Sequence, residues 1–228
     1  MGLSHLSAGL VSVGGRLSVE RFPVVGLVRT FSADALVTDS AAAATALACG
    51  VKTRNGSVGV DAQGDPVPSL VERARARGLR TGVVATSSLT DATPAAFLSH
   101  RPSRKQQEEI ALDVAASGAD VLAGGGRCHF TSRPDGRYLL GELAARGYAV
   151  VEDAARLAHA PPGKLAAFLA DEHLPSETKG RGDLLRSAVS AALARLEGGE
   201  GFVLVVEGSQ VDFAAHDGDG RGATAEVA

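Results

Sequence analysis

Short apolar segments alternate along this chain with segments of helical spacing, and this alternation limits the folds open to it. Strands of a parallel sheet are buried on both faces and read as short, nearly continuous apolar runs, each joined to the next by a helix. The centre of 79–86 and the run 202–206 have this character. The pattern predicts an α/β fold with a doubly wound, mostly parallel sheet and helices on both faces.

The predicted elements follow from apolar spacing and from glycine and proline breaks. We predict strands at 24–30, 79–86, 120–123, 148–151, 164–169 and 202–206, and helices at 3–13, 69–77, 103–116, 139–146 and 183–196 and from residues 40 and 90. The triplet Gly124-Gly125-Gly126 predicts a tight turn, because it matches no nucleotide-binding pattern. Since no repeat or interdomain linker is found, residues 1–228 are predicted to form a single domain.

Composition excludes several classes of function. The net charge is -3 and the basic residues are scattered, so we expect no nucleic-acid partner. No apolar run approaches the roughly 18 residues that span a bilayer, and the N-terminus lacks the pattern of a signal peptide. Cys49 and Cys128 make neither a disulfide framework nor a metal motif. We interpret Cys49 as a small core residue.

Asp39 and Ser40 precede an alanine-rich run and are residue types that cap a helix start. Free backbone N–H groups and aligned peptide dipoles meet at such a start and favour an anion there. Ser40 is therefore a candidate nucleophile. The alternative is an ordinary pair of capping residues.

A second stretch places polar side chains after the strand at 202–206. Glu207 lies at the carboxyl end of that strand, where open α/β sheets build their sites. Asp212 and His216 are four residues apart and would share one helix face. A carboxylate with an imidazole suits Zn²⁺, and a separate carboxylate suits Mg²⁺. The alternative is a solvated helix face.

A third stretch, 90–105, carries Asp91, Thr93 and Arg104. An arginine can bind two phosphate oxygens through two parallel hydrogen bonds, which a lysine cannot do. Taken alone, Arg104 is more typical of a surface charge at a helix start.

These three stretches resemble segments of the alkaline phosphatase family. The run Val-Thr-Asp-Ser-Ala at 37–41, continuing through 61, is similar to the family's nucleophile segment. Asp-Ala-Thr-Pro-Ala at 91–95, with the arginine beyond it, is similar to the phosphate-binding segment. Val-Glu-Gly at 206–208, followed by Asp212 and His216, is similar to a metal-binding segment.

The resemblance implies a role for each of these residues. Ser40 would be phosphorylated during turnover, and Asp39 and Arg104 would bind the substrate phosphate. The implied reaction is phosphate monoester hydrolysis at a site with two zinc ions and one magnesium ion. Ser40 would bind one zinc, and Asp212 with His216 would bind the other. Thr93 and Glu207 would bind the magnesium, and Asp91 would lie just behind these magnesium ligands. The implied substrates are small-molecule phosphate monoesters. The implied location is periplasmic or secreted, and a homodimer is one possible assembly.

The sequence also departs from the family pattern. The family has a Gly-Asp-Gly aspartate upstream, and an Asp-His pair and a further zinc histidine downstream, which this chain lacks. We therefore expect an internal fragment, truncated at both ends, that binds metal poorly and turns over little. Two alternatives remain open, a noncatalytic phosphate-binding protein and a related metal-dependent phosphodiesterase or sulfatase.

Overall fold

The computed structural model describes residues 2–228. Its strands are β1 Arg80–Ser88, β2 Val121–Gly125, β3 Tyr148–Val151, β4 Lys164–Phe168 and β5 Phe202–Glu207. Its helices are α1 Leu3–Ser12, α2 Ser40–Cys49, α3 Leu70–Ala76, α4 Ala92–Leu98, α5 Gln107–Ala116, α6 Cys128–Thr131, α7 Leu139–Ala145, α8 Ala154–Leu157, α9 Leu184–Leu196, α10 Gln210–His216 and α11 Gly220–Val227. The predicted helices are confirmed, with ends that differ by up to four residues, whereas α6, α8 and α11 lie where the sequence predicts none. Within residues 2–228, no helix is long and apolar enough to cross a membrane.

The five strands form one sheet in the order β3-β4-β2-β1-β5, and every pair of neighbours is parallel. Each strand is connected to the next through one or more helices, as parallel pairing requires. The carboxyl ends of the strands therefore lie along one edge, where β5 ends at Glu207 and the chain from β1 leads into α4. The predicted fold class is confirmed.

Alternate strand residues face two separate apolar layers, which places helices on both faces of the sheet. In β2, Leu122 packs in the layer that contains α5, whereas Val121 and Ala123 pack in the layer that contains α9. All three side chains are fully buried. This two-residue period is what a strand between two helical layers requires.

The predicted strand at 24–30 is wrong, because this segment pairs with no other strand within residues 2–228. Its apolar side chains are exposed, with Val25 at 91% and Val28 at 82% exposure. β-Branched residues favour a strand only where a neighbouring backbone and a packed face are available. Residues 24–30 have neither a neighbouring strand nor a packed face, so their composition alone wrongly predicts a strand.

The glycine triplet is also corrected, since Gly124 and Gly125 belong to β2 and only Gly126 turns, with φ of +91°. Glycine is required at position 125 because another part of the backbone lies close to it. A Cβ on Gly125 would lie 1.8 Å from the carbonyl oxygen of Glu172, so a larger residue would displace the loop after β4.

Cys49 lies in the core, as predicted, and its thiol donates to the carbonyl oxygen of Val67 at 3.3 Å. Burial raises the pKa of this thiol to about 11. At neutral pH the group is therefore a protonated, unreactive core side chain.

Candidate active site

Ser40 is the first residue of α2 and is exposed to solvent. The Oδ1 atom of Asp39 caps the helix by accepting from the backbone N–H of Ala42 at 2.9 Å. Within residues 2–228, the backbone N–H groups of Ser40 and Ala41 have no acceptor. The predicted helix start is thus formed, with a hydroxyl beside two unpaired N–H donors at its positive end.

Arg104 reaches this hydroxyl from the segment before α5. Its Nη1 donates to Ser40 Oγ, and its Nη2 donates to Asp91 Oδ1 at 2.6 Å. Asp91 is the N-cap of α4 and also accepts from the backbone N–H of Ala92 at 2.7 Å. Asp39 Oδ2 lies 3.8 Å from Arg104 Nη1. Two capping carboxylates therefore hold the guanidinium against the serine.

A cavity of about 670 Å³ opens at this point. Six of the predicted site residues line it: Ser40, Asp91, Thr93, Arg104, Glu207 and Asp212. Asp39 does not line the cavity, but its carboxylate lies near Arg104, which does. His216 lies instead on a neighbouring cavity of about 570 Å³, which shares Phe213 with the first.

Glu207 ends β5 and is half-buried, and its Oε2 accepts from the hydroxyls of Ser209 at 2.7 Å and Ser87 at 3.2 Å. Asp212 and His216 share one face of α10, with Oδ2 and Nε2 3.6 Å apart. Both of these side chains are mostly exposed. Within residues 2–228, no group of three or more His, Cys, Asp or Glu side chains is placed to hold one metal ion.

Sequence reasoning missed the turn formed by Asn55 and Gly56 as part of the site. Asn55 Oδ1 accepts from the backbone N–H of Asp39 at 3.1 Å, and Gly56 N–H donates to Asp39 Oδ2 at 2.9 Å. Asn55 is the single asparagine of the chain and lies within the run that resembles the nucleophile segment. That position is the signal that could have identified it.

His100 takes a structural position rather than one in the cavity. Its Nδ1 faces the carbonyl oxygen of Gly59, and its Nε2 faces both carboxylate oxygens of Glu72 at 3.1 Å. Because both ring nitrogens face acceptors, the imidazolium form fits this site. Burial lowers the pKa of His100, but the hydrogen bonds to Gly59 and Glu72 outweigh it and raise the pKa above its usual value.

His100→Gln should therefore destabilise the protein more at pH 6 than at pH 9. A raised histidine pKa contributes stability below the unfolded value of about 6.5, and the contribution is lost as pH rises through the folded pKa. We expect a difference below about 1 kcal/mol, since Glu72 is 45% exposed. Urea unfolding at both pH values measures it. An equal effect of His100→Gln at pH 6 and pH 9 would contradict the assignment.

The chain is similar to several phosphatases of known family. A family model described as alkaline phosphatase matches residues 7–228. Alkaline phosphatase 3 of Bacillus subtilis is 40% identical over 200 residues, which cover 84% of this chain and 43% of the relative. Streptomycin-6-phosphate phosphatase of Streptomyces griseus is 34% identical over 277 residues, which cover 95% of this chain and 62% of the relative.

A solved structure is also similar to this chain. A mutant of the alkaline phosphatase from the Antarctic bacterium TAB5, with Mg bound in its M3 site, matches with a TM-score of 0.93 and 38% identity. The match covers all of this chain and 66% of that chain, so the chain spans less than two thirds of each of these three proteins. The match over residues 7–228 and the shared fold establish that the chain belongs to the alkaline phosphatase family.

Proposed function

We propose that this chain carries the nucleophile and phosphate-binding part of a phosphate monoesterase that works through a phosphoserine at Ser40. The observation that supports this most strongly is the hydrogen bond from Arg104 to Ser40 Oγ at the start of α2. A phosphoryl group beside Ser40 would accept hydrogen bonds from the remaining N–H groups of the guanidinium and from the unpaired backbone N–H groups of Ser40 and Ala41.

The chemistry proposed for these residues has two displacements. Ser40 Oγ attacks phosphorus, forming the Ser40 O–P bond as the P–O bond to the leaving alcohol breaks. A water molecule then attacks the phosphoserine, and inorganic phosphate leaves as the Ser40 O–P bond breaks. Arg104 and the start of α2 bind the nonbridging oxygens throughout, where charge is redistributed.

A serine hydroxyl needs activation, and the family resemblance assigns this to metal ions. Bound metal would lower the pKa of a coordinated hydroxyl or water and stabilise the leaving oxygen. The residue types suit these ions. Asp212 and His216 would hold one zinc ion, and Ser40 would bind zinc on the side of the nucleophile. Thr93 and Glu207 would hold magnesium. In number the zinc ligands fall short of the three protein ligands usual for catalytic zinc. We therefore expect slow turnover from this chain.

A noncatalytic phosphate-binding protein is the second candidate, favoured by the exposed positions of Asp212 and His216. The two candidates differ in their metal dependence. Catalysis predicts that zinc strengthens the binding of inorganic phosphate or vanadate at least several-fold and that Asp212→Ala removes this gain. The noncatalytic alternative predicts phosphate binding without added zinc and no effect of Asp212→Ala. Isothermal titration with and without zinc decides between them.

The proposed substrates are small-molecule phosphate monoesters. The Streptomyces relative is named for one such ester, streptomycin 6-phosphate. Comparison of monoester, diester and sulfate ester substrates tests this against the phosphodiesterase or sulfatase alternative, and a preference for either of the last two would overturn it. A periplasmic or secreted location stays a prediction from resemblance.

A homodimer also stays a prediction. The exposed apolar side chains of the segment 22–28 support it, because a surface of this kind is typical of an interaction site. Sedimentation velocity tests it, and a monomer at micromolar concentration would argue against it.

A further inference from the structure

Asn55 contacts the backbone on both sides of Thr38, in the segment that leads into Ser40. Its Oδ1 accepts from the N–H of Asp39 at 3.1 Å, and its Nδ2 donates to the carbonyl oxygen of Val37 at 2.9 Å. Both contacts span more than fifteen residues of sequence. The side chain itself is exposed, so these bonds are not a by-product of core packing.

The neighbouring Gly56 extends the same turn to both halves of the site. Its N–H donates to Asp39 Oδ2 at 2.9 Å, and its carbonyl oxygen accepts from the backbone N–H of Arg104 at 2.7 Å. Gly56 has φ of +85°, which most side chains would disfavour. One two-residue turn therefore contacts the capping residue of the nucleophile helix and the backbone of the phosphate-binding arginine.

The side chain of Asp39 is also held by Ala42 and Gly56, but among residues 2–228 the backbone N–H of Asp39 and the carbonyl oxygen of Val37 have no hydrogen-bond partner other than Asn55. Residues 37–39 form no helix or strand, and Val37 is 82% exposed. A backbone N–H without a ladder partner depends on the side-chain acceptors that reach it. Asn55 is that acceptor for Asp39.

We propose that Asn55 is a positioning residue, which sets the place of Ser40 relative to Arg104 by fixing the backbone of Val37 and Asp39. The proposal rests on the proposed function, because its consequence is read through phosphate binding. Asn55 does not line the cavity at Ser40 and forms no hydrogen bond with Ser40 within residues 2–228, so it acts through the backbone that carries Asp39.

Asn55→Ala should weaken the binding of inorganic phosphate about tenfold, measured by isothermal titration with zinc and magnesium present. The variant removes both hydrogen bonds that fix the backbone of Val37 and Asp39, and a tenfold loss of affinity corresponds to about 1.4 kcal/mol. Hydrogen exchange at the Asp39 amide, followed by NMR, should become about tenfold faster. The variant should still unfold cooperatively, with a midpoint within about 4 °C of that of the control, because both lost hydrogen bonds lie in an exposed turn.

The matched control is Gln63→Ala, which removes a carboxamide from another exposed turn, at 61–64. If Asn55→Ala binds phosphate as Gln63→Ala does, while Arg104→Ala does not bind, the inference is overturned and the proposed function stands. Unchanged exchange at the Asp39 amide also overturns it. If the unmodified protein does not bind phosphate, the proposed function fails and the inference fails with it, so the two failures are distinguishable.

Discussion

Arg104→Ala should lower the affinity for inorganic phosphate by about 100-fold or more. The guanidinium is the nearest cation to Ser40 Oγ, and a hydrogen bond between charged partners is worth about 1.5–3 kcal/mol. Loss of two such bonds to phosphate therefore exceeds the 2.8 kcal/mol that corresponds to a factor of 100. Isothermal titration with inorganic phosphate measures the change directly.

Two further variants define what the arginine contributes. Arg104→Lys keeps the charge and loses the planar fork, so we expect an affinity between those of the unmodified protein and Arg104→Ala. Lys105→Ala removes the adjacent, exposed cation and should leave the affinity within about twofold, since the loss of one surface charge is largely screened. An Arg104→Ala protein that binds phosphate normally would exclude Arg104 as the phosphate-binding group.

Ser40→Ala should reduce any hydrolysis of p-nitrophenyl phosphate at least roughly 1,000-fold, because removal of a nucleophile abolishes the covalent route. The fold should be unaffected, since Ser40 is exposed at the first turn of α2 and alanine is the strongest helix former. Phosphate binding through Arg104 should persist. The substitution therefore separates chemistry from binding.

The matched control is Ser190→Ala, an exposed serine on α9 in the layer on the other face of the sheet. It should leave both hydrolysis and phosphate binding unchanged. Hydrolysis that survives in Ser40→Ala at the unmodified rate would rule out Ser40 as the nucleophile.

The fold was largely predictable because short apolar runs in the sequence indicate its buried strands. β2 and β4 are almost wholly apolar because both faces are covered, and sequence alone shows this. The segment 24–30 has the same composition and is not a strand, because pairing depends on a neighbour that no local pattern specifies. The predicted turn at Gly125 was wrong for a similar reason. Glycine is needed there because the backbone of Glu172, which is distant in sequence, lies too close to leave room for a side chain.

For the site, the sequence predicted which residues to examine and could not predict their contacts. The position of Ser40 at a helix start follows from local capping chemistry, and the structure has it. The contact of Arg104 with Asp91 and Ser40 depends on the packing of α2 beside α4, and spacing alone could only suggest it. The i, i+4 spacing of Asp212 and His216 did predict one helix face. It did not predict that the two residues would line different cavities.

The most direct test of the account is to locate phosphate on the protein. The chain is incubated with p-nitrophenyl phosphate, zinc and magnesium, quenched in acid and digested with trypsin, and the peptide 30–52 is fragmented by mass spectrometry. A single turnover suffices, so slow steady-state hydrolysis does not obscure the result. The account predicts phosphate on Ser40 and none on this peptide in the Ser40→Ala protein. Release of p-nitrophenol from folded protein with Ser40 unmodified throughout, or phosphate on another residue, would contradict it.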